Sequence, residues 1–175
     1  LINLLLNDGL YRVVIVLYGD AAPLGLLPDV GDALSLRLSR HALEAGDYSI
    51  AAQVVTKIGK PPEGMTQWQW QLQIARLEIF SGQSQVGADR LLRVLEDADE
   101  VEERELDRLL QVAFDLQAIS RDSLALKVFD AAGPFVRTVR QRRELLFWMG
   151  ESQIGEGRYA QGADLFLQSS EVAGQ

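Results

Sequence analysis

Cysteine is absent from the 175 residues. Disulfides, thiol nucleophiles and zinc–thiolate sites are therefore excluded. The lone histidine, His41, removes metal sites that need two imidazoles at helical spacing. Basic residues number 17 against 25 acidic ones, a net charge of −8. Duplex nucleic acid and anionic membrane surfaces both demand a basic face, so neither is an expected partner. No apolar run approaches the roughly 20 residues of a membrane span. The longest candidate, residues 13–18, is far too short for direct membrane insertion. A secretory signal needs a basic n-region and a small-residue cleavage site, and neither is present. The chain begins at Leu1 inside an apolar stretch and reads as a piece of a longer protein. An upstream signal or anchor therefore stays open. No glycine-rich phosphate loop occurs either.

What is present is ordinary for a globular chain: 47% hydrophobic and 24% charged residues. The length suits a single domain. Self-similarity is its most informative property. Turn signals stand at Gly9, Gly46, Gly82 and Gly157, with a degenerate one at Ser120. Their separations are 37 (46−9), 36 (82−46), 38 (120−82) and 37 (157−120). Apolar residues around each turn recur at helical spacing, as in Leu34, Leu38 and Ala42 before Gly46 and Ala51, Val54, Val55 and Ile58 after it. A glycine between two helices supplies the positive φ that closes the first. Each unit is thus expected to be a helix–turn–helix hairpin. Pro23, Pro28, Pro61, Pro62 and Gly133-Pro134 fall between units, where proline stops a helix. Two segments resist this reading. Residues 11–18 are rich in β-branched side chains, like a buried strand. Residues 67–73 alternate with period two. Both lie in register with the repeat, which decides for helix, although helix and strand stay open for residues 10–18.

Four columns follow the turn register. A small residue stands seven before the turn, another five after it, a bulky one nine after it, and a fourth column twelve after it. The last unit gives Gly150, Gly162, Phe166 and Ser169, with Tyr159 two past its turn. The fourth gives Ala113, Ala125, Phe129 and Ala132. The third gives Ala75, Gly87, Leu91 and Val94, and the second Ser39, Ala51, Val55 and Ile58. The first gives Ile2, Val14, Tyr18 and Ala21. This pattern resembles the tetratricopeptide repeat, a 34-residue helical hairpin. The period here is two to four residues longer. The resemblance implies an all-α right-handed superhelix, a single domain of about 4.5 hairpins over residues 1–22, 31–59, 64–97, 99–133 and 138–173.

In the resembled family the first helices of the hairpins line a concave face that grips a peptide or partner protein. Register carries that role to Arg40 and Glu44 in unit two, and to Gln69, Leu72, Arg76 and Phe80 in unit three. It carries it to Asp107, Leu110, Phe114 and Gln117 in unit four, and to Glu144, Phe147, Glu151 and Ile154 in unit five. The alternative for Leu72, Leu110, Phe114 and Phe147 is core between units. The Lys and Asn clamp that chaperone-tail binders use for a terminal carboxylate is missing.

Residues 96–107 hold eight acids and one base, Arg104. Acids at a helix start favour its dipole, and without a glycine turn they make a weak calcium loop. The basic stretch at residues 137–143 opposes the dipole of its own helix. Register sets Arg137 level with Glu100, Arg140 with Glu103 and Arg142 with Glu105, which predicts ion pairs between neighbouring units. His41 and the three tryptophans, Trp68, Trp70 and Trp148, are expected to be structural.

The function expected is a non-catalytic protein-interaction scaffold, with no cofactor and no metal. The last unit looks like the repeats of bacterial envelope assembly factors, which favours an envelope or periplasmic setting. Apolar ends lacking polar caps suggest further repeats or self-association, so an oligomerisation module is the first alternative. A helical hydrolase pairing Asp107 with Glu151 is the second, and it needs both carboxylates in one cleft.

Overall fold

The computed structural model describes residues 2–21, 24 and 31–172. Among the described residues there are ten α-helices, a 3-10 turn at Gly133–Phe135 and no strand, so the chain is all-α. The helices are α1 (Ile2–Asn7), α2 (Tyr11–Ala21), α3 (Asp32–Glu44), α4 (Tyr48–Val55), α5 (Gln67–Phe80), α6 (Ser84–Glu96), α7 (Glu103–Ala118), α8 (Asp122–Ala132), α9 (Val139–Gly155) and α10 (Tyr159–Val172). Pro23 and Pro28 lie outside the described residues. Pro134 sits in the 3-10 turn that ends the α8 unit.

The turns repeat to the atom. Gly9, Gly46, Gly82, Ser120 and Gly157 all have positive φ, at 77°, 79°, 89°, 58° and 75°. The next residue donates its N–H to the carbonyl five positions back: Leu10 to Leu5, Asp47 to Ala42, Gln83 to Glu78, Arg121 to Leu116 and Arg158 to Gln153, all at 2.7–2.8 Å. The turn residue itself donates to the carbonyl three back, as Gly46 does to Leu43 at 3.0 Å. This is the Schellman closure, which satisfies two orphan carbonyls of the first helix and reverses the chain at once.

Residues 11–18 are helical. Val14, Ile15 and Tyr18 form one buried stripe of α2, so burial outweighs the β preference of their neighbours. The small columns sit at the crossing of each hairpin. A Cβ on Gly87 would lie 2.7 Å from the Ala75 carbonyl oxygen, and one on Gly162 would lie 3.0 Å from that of Gly150. Ser39, Ala51, Ala75, Ala113 and Ala125 are buried at the same positions. In the bulky column Tyr18, Val55, Leu91 and Phe129 are buried.

Each substantial contact joins a helix to the next one or the next but one in the chain. Two hydrophobic clusters result. The first spans α1 to α5, and the second spans α5 to α9. Helix α5 belongs to both, placing Trp70, Ile74 and Leu77 in the first and Leu72, Ala75 and Ile79 in the second. Two opposed buried faces explain the period-two pattern at its start, which is not a strand signal here.

Candidate partner-binding face

Helices α3, α5, α7 and α9 open the four complete hairpins. Helix α5 packs on α7 and α7 on α9, while α4 fills the space between α3 and α5. Four clefts run edge to edge along them. The first, 430 Å³, is walled by Leu43, Tyr48 and the α5 residues Gln73, Arg76 and Phe80. The second, 410 Å³, lies between α5 and α7, with Gln73 and Arg76 facing Arg108 and Gln111 over Leu72 and Val112. The third, 140 Å³, shares Gln111 and adds Asp107, Arg140, Glu144 and Trp148. The fourth, 560 Å³, shares Glu144 and Trp148 and adds Phe147, Glu151 and Phe166.

The residues that register assigns to this face divide into two groups. Arg40 and Glu44 are exposed on α3, with Glu44 Oε2 3.0 Å from His41 Nδ1. Arg76 is exposed, pairs through Nε with Asp115 Oδ2 at 2.7 Å, and covers the Phe80 ring. Burial pushes the Asp115 carboxyl above its ordinary range, and Arg76 pulls it only part of the way back. Phe80 tilts against Tyr48, Phe114 against Trp148 and Phe147 against Phe166, and both Phe114 and Phe147 stay exposed.

The other group holds the helices themselves. Leu72 and Leu110 are buried in the second cluster, so the core reading is the better one for both. Gln69 completes a capping box with Thr66 at the start of α5, its N–H donating to Thr66 Oγ1 at 3.1 Å. The Gln117 amide donates across to the Trp148 carbonyl (3.0 Å) and Ser152 Oγ (3.1 Å), tying α7 to α9. Asp107 accepts from Arg140 Nη2 at 2.6 Å and from Gln141 Nε2 at 2.8 Å. That hydrogen bond and the Asp107 charge raise the pKa of the Arg140 guanidinium. With both its oxygens engaged, Asp107 walls the third cleft while Glu151 walls the fourth. The structure does not bring this carboxylate pair into one cleft.

Two of the three ion pairs expected between units are present. Arg137 approaches Glu100 and Arg140 approaches Glu103, each at 3.5 Å. Arg142 and Glu105 make no ion pair, and Arg140 prefers Asp107, one turn further along α7. His41 stacks on Tyr11 with ring centroids 3.6 Å apart. Trp70 is fully enclosed.

Sequence reasoning passed over Gln73, Gln111 and Arg108. The first two share one register, nine residues before their turn positions (82−73, 120−111), a signal that was available. It also passed over a buried network in which Arg90 grips Glu78 through two bonds (2.8 and 2.6 Å) and donates to Gln71 Oε1 at 2.7 Å. Among the described residues no group of three His, Asp or Glu side chains is placed to hold a metal ion. None of the described helices is long and apolar enough to cross a membrane. No protein-family model matches the chain, and no curated protein is similar to it at a significant level.

Proposed function

We propose that the chain is one right-handed helical-repeat solenoid of tetratricopeptide type, a non-catalytic scaffold that holds a peptide or partner protein along its leading helices. The observation that carries this reading is the continuity of the four clefts, each sharing wall residues with the next. A continuous furrow across several helices suits an extended segment, whereas a small molecule suits one enclosed pocket. Contacts confined to neighbouring helices and five identical turns support the repeat architecture. An envelope-assembly role is the setting that the last unit suggests.

The test places a photo-crosslinking residue at Gln73, at Gln111, and at Lys127 on the trailing helix α8. A partner of the furrow crosslinks at the first two positions and not at the third. Equal capture at all three positions defeats the proposal.

Self-association is a second reading, favoured by exposed apolar side chains at both ends. Leu4 (62%) and Val16 (62%) are exposed on the first hairpin, and Tyr159 (68%) and Leu167 (62%) on the last. Light scattering over a concentration series decides it. A mass that rises with concentration, and stays monomeric in Val16→Lys or Leu167→Lys, supports end-to-end pairing. A constant monomer mass removes it.

A further inference from the structure

We propose that the segment received by the second cleft is an acidic, extended, internal stretch of a partner that seats one aliphatic side chain between α5 and α7. This rests on the peptide-furrow reading above. Three properties of the cleft point to that chemistry.

The first is charge. Its walls carry two arginines, Arg76 and Arg108, and no carboxylate. Arg108 is exposed and makes no ion pair among the described residues. Arg76 has a partner in Asp115, but 53% of its side chain faces solvent while Asp115 keeps 9%. The cation therefore fronts the cleft and its counter-ion lies behind. Arg40 on α3 stands six residues before its turn, as Arg76 does before its own (46−40, 82−76), with Glu44 one helical turn further on. Further along, each cleft holds two carboxylates against one arginine: Asp107 and Glu144 with Arg140 in the third, Glu144 and Glu151 with Arg143 in the fourth. Along the furrow, an acidic segment is therefore drawn to this interval in preference to the third and fourth clefts.

The second is hydrogen bonding. Gln73 and Gln111 face each other across the cleft and make no hydrogen bond to other side chains among the described residues. A primary amide presents donors and an acceptor together. A pair of them meets the N–H and C=O of an extended backbone without selecting its side chains. Such contacts need no chain terminus, so an internal stretch suffices.

The third is the floor. Leu72 and Val112 are buried and Met65 is half-buried. Together they give an apolar base on which one Leu- or Met-sized side chain loses its hydration.

The experiment selects binders from a displayed library of random 12-residue peptides, held internally so that no free terminus is offered, against the full chain. Selected peptides are then made acetylated and amidated, and affinity is read by fluorescence anisotropy. The expected pool is rich in Asp and Glu around a Leu or Met. Arg108→Glu is expected to weaken binding at least about tenfold. Lys127→Glu on the trailing helix makes the same charge change and is expected to leave affinity within about twofold, since its exposed side chain lines none of the four clefts. Circular dichroism confirms that both exposed substitutions fold. A neutral or basic pool that loses affinity on Gln111→Ala overturns the acidic assignment and leaves the furrow standing. A pool indifferent to Arg108→Glu and Gln111→Ala, or no binders at all, overturns both.

Discussion

Ser120 holds the left-handed backbone angle that glycine holds at the four sister turns, and it is the one non-glycine at positive φ among the described residues. A Cβ in that region costs about 1–2 kcal/mol. Glycine recovers this but frees the unfolded chain by about 0.4–1 kcal/mol. Ser120→Gly is therefore expected to stabilise by roughly 0.5–1 kcal/mol in urea unfolding; a loss of stability would show that the Ser120 side chain holds the turn. Asp115 supplies a pH test. Its folded pKa lies above 3.8 because burial outweighs Arg76. The folded chain thus binds the proton more tightly, and the stability due to this group falls as pH rises from about 3.8 through the folded pKa. Asp115→Asn removes the titration. Its stability relative to the parent should be higher at pH 7 than at pH 4, and an equal gap at the two pH values counts against burial as the dominant cause.

At the scale of the helix, contact distance sets what the hairpins tolerate. Gly87 lies where α6 crosses α5, with the Ala75 carbonyl oxygen 2.7 Å from any added Cβ. Backbone cannot step aside as a side chain does. Gly87→Ala is expected to cost about 1–3 kcal/mol, measured against Gly133→Ala, where the added methyl meets nothing. The Arg90–Glu78 pair makes a sharper case. Glu78 has 3% of its side chain exposed and Arg90 21%. Arg90→Ala strands a buried carboxylate and should cost about 3–5 kcal/mol, whereas replacing both with Met should cost far less. Equal losses for the single and double variants would show that a stranded carboxylate is not what destabilises Arg90→Ala. The positions of these elements were legible in the sequence because the turn register is periodic and the small columns mark the crossings. The Arg90–Glu78 pair was not, since Glu78 lies in an apolar run and its partner is twelve residues away on another helix. The same limit governs the candidate face. Register placed Gln69, Gln117 and Asp107 on the leading helices correctly, but only three-dimensional contacts show that they bind α5, α7 and α9 in place.

For the molecule as a whole, contacts restricted to nearby helices make stability a chain of local interfaces. Damage should stay local. Gly162→Val forces a branched side chain against Ile154 and the Gly150 carbonyl, and hydrogen exchange should rise in α9 and α10 while α3 to α6 keep their protection. Uniform loss of protection would mean that the chain unfolds as one unit. Helix α5, shared by both clusters, is where such damage must pass if it spreads. Its two indoles look in opposite directions. Trp70 lies in the first cluster, and Trp68 packs against the second, as Trp148 does. The protein therefore carries separate optical reporters for its two halves. With Trp68 and Trp148 changed to Phe, the remaining emission follows the α1–α5 half alone, and light can time one half of the chain against the other.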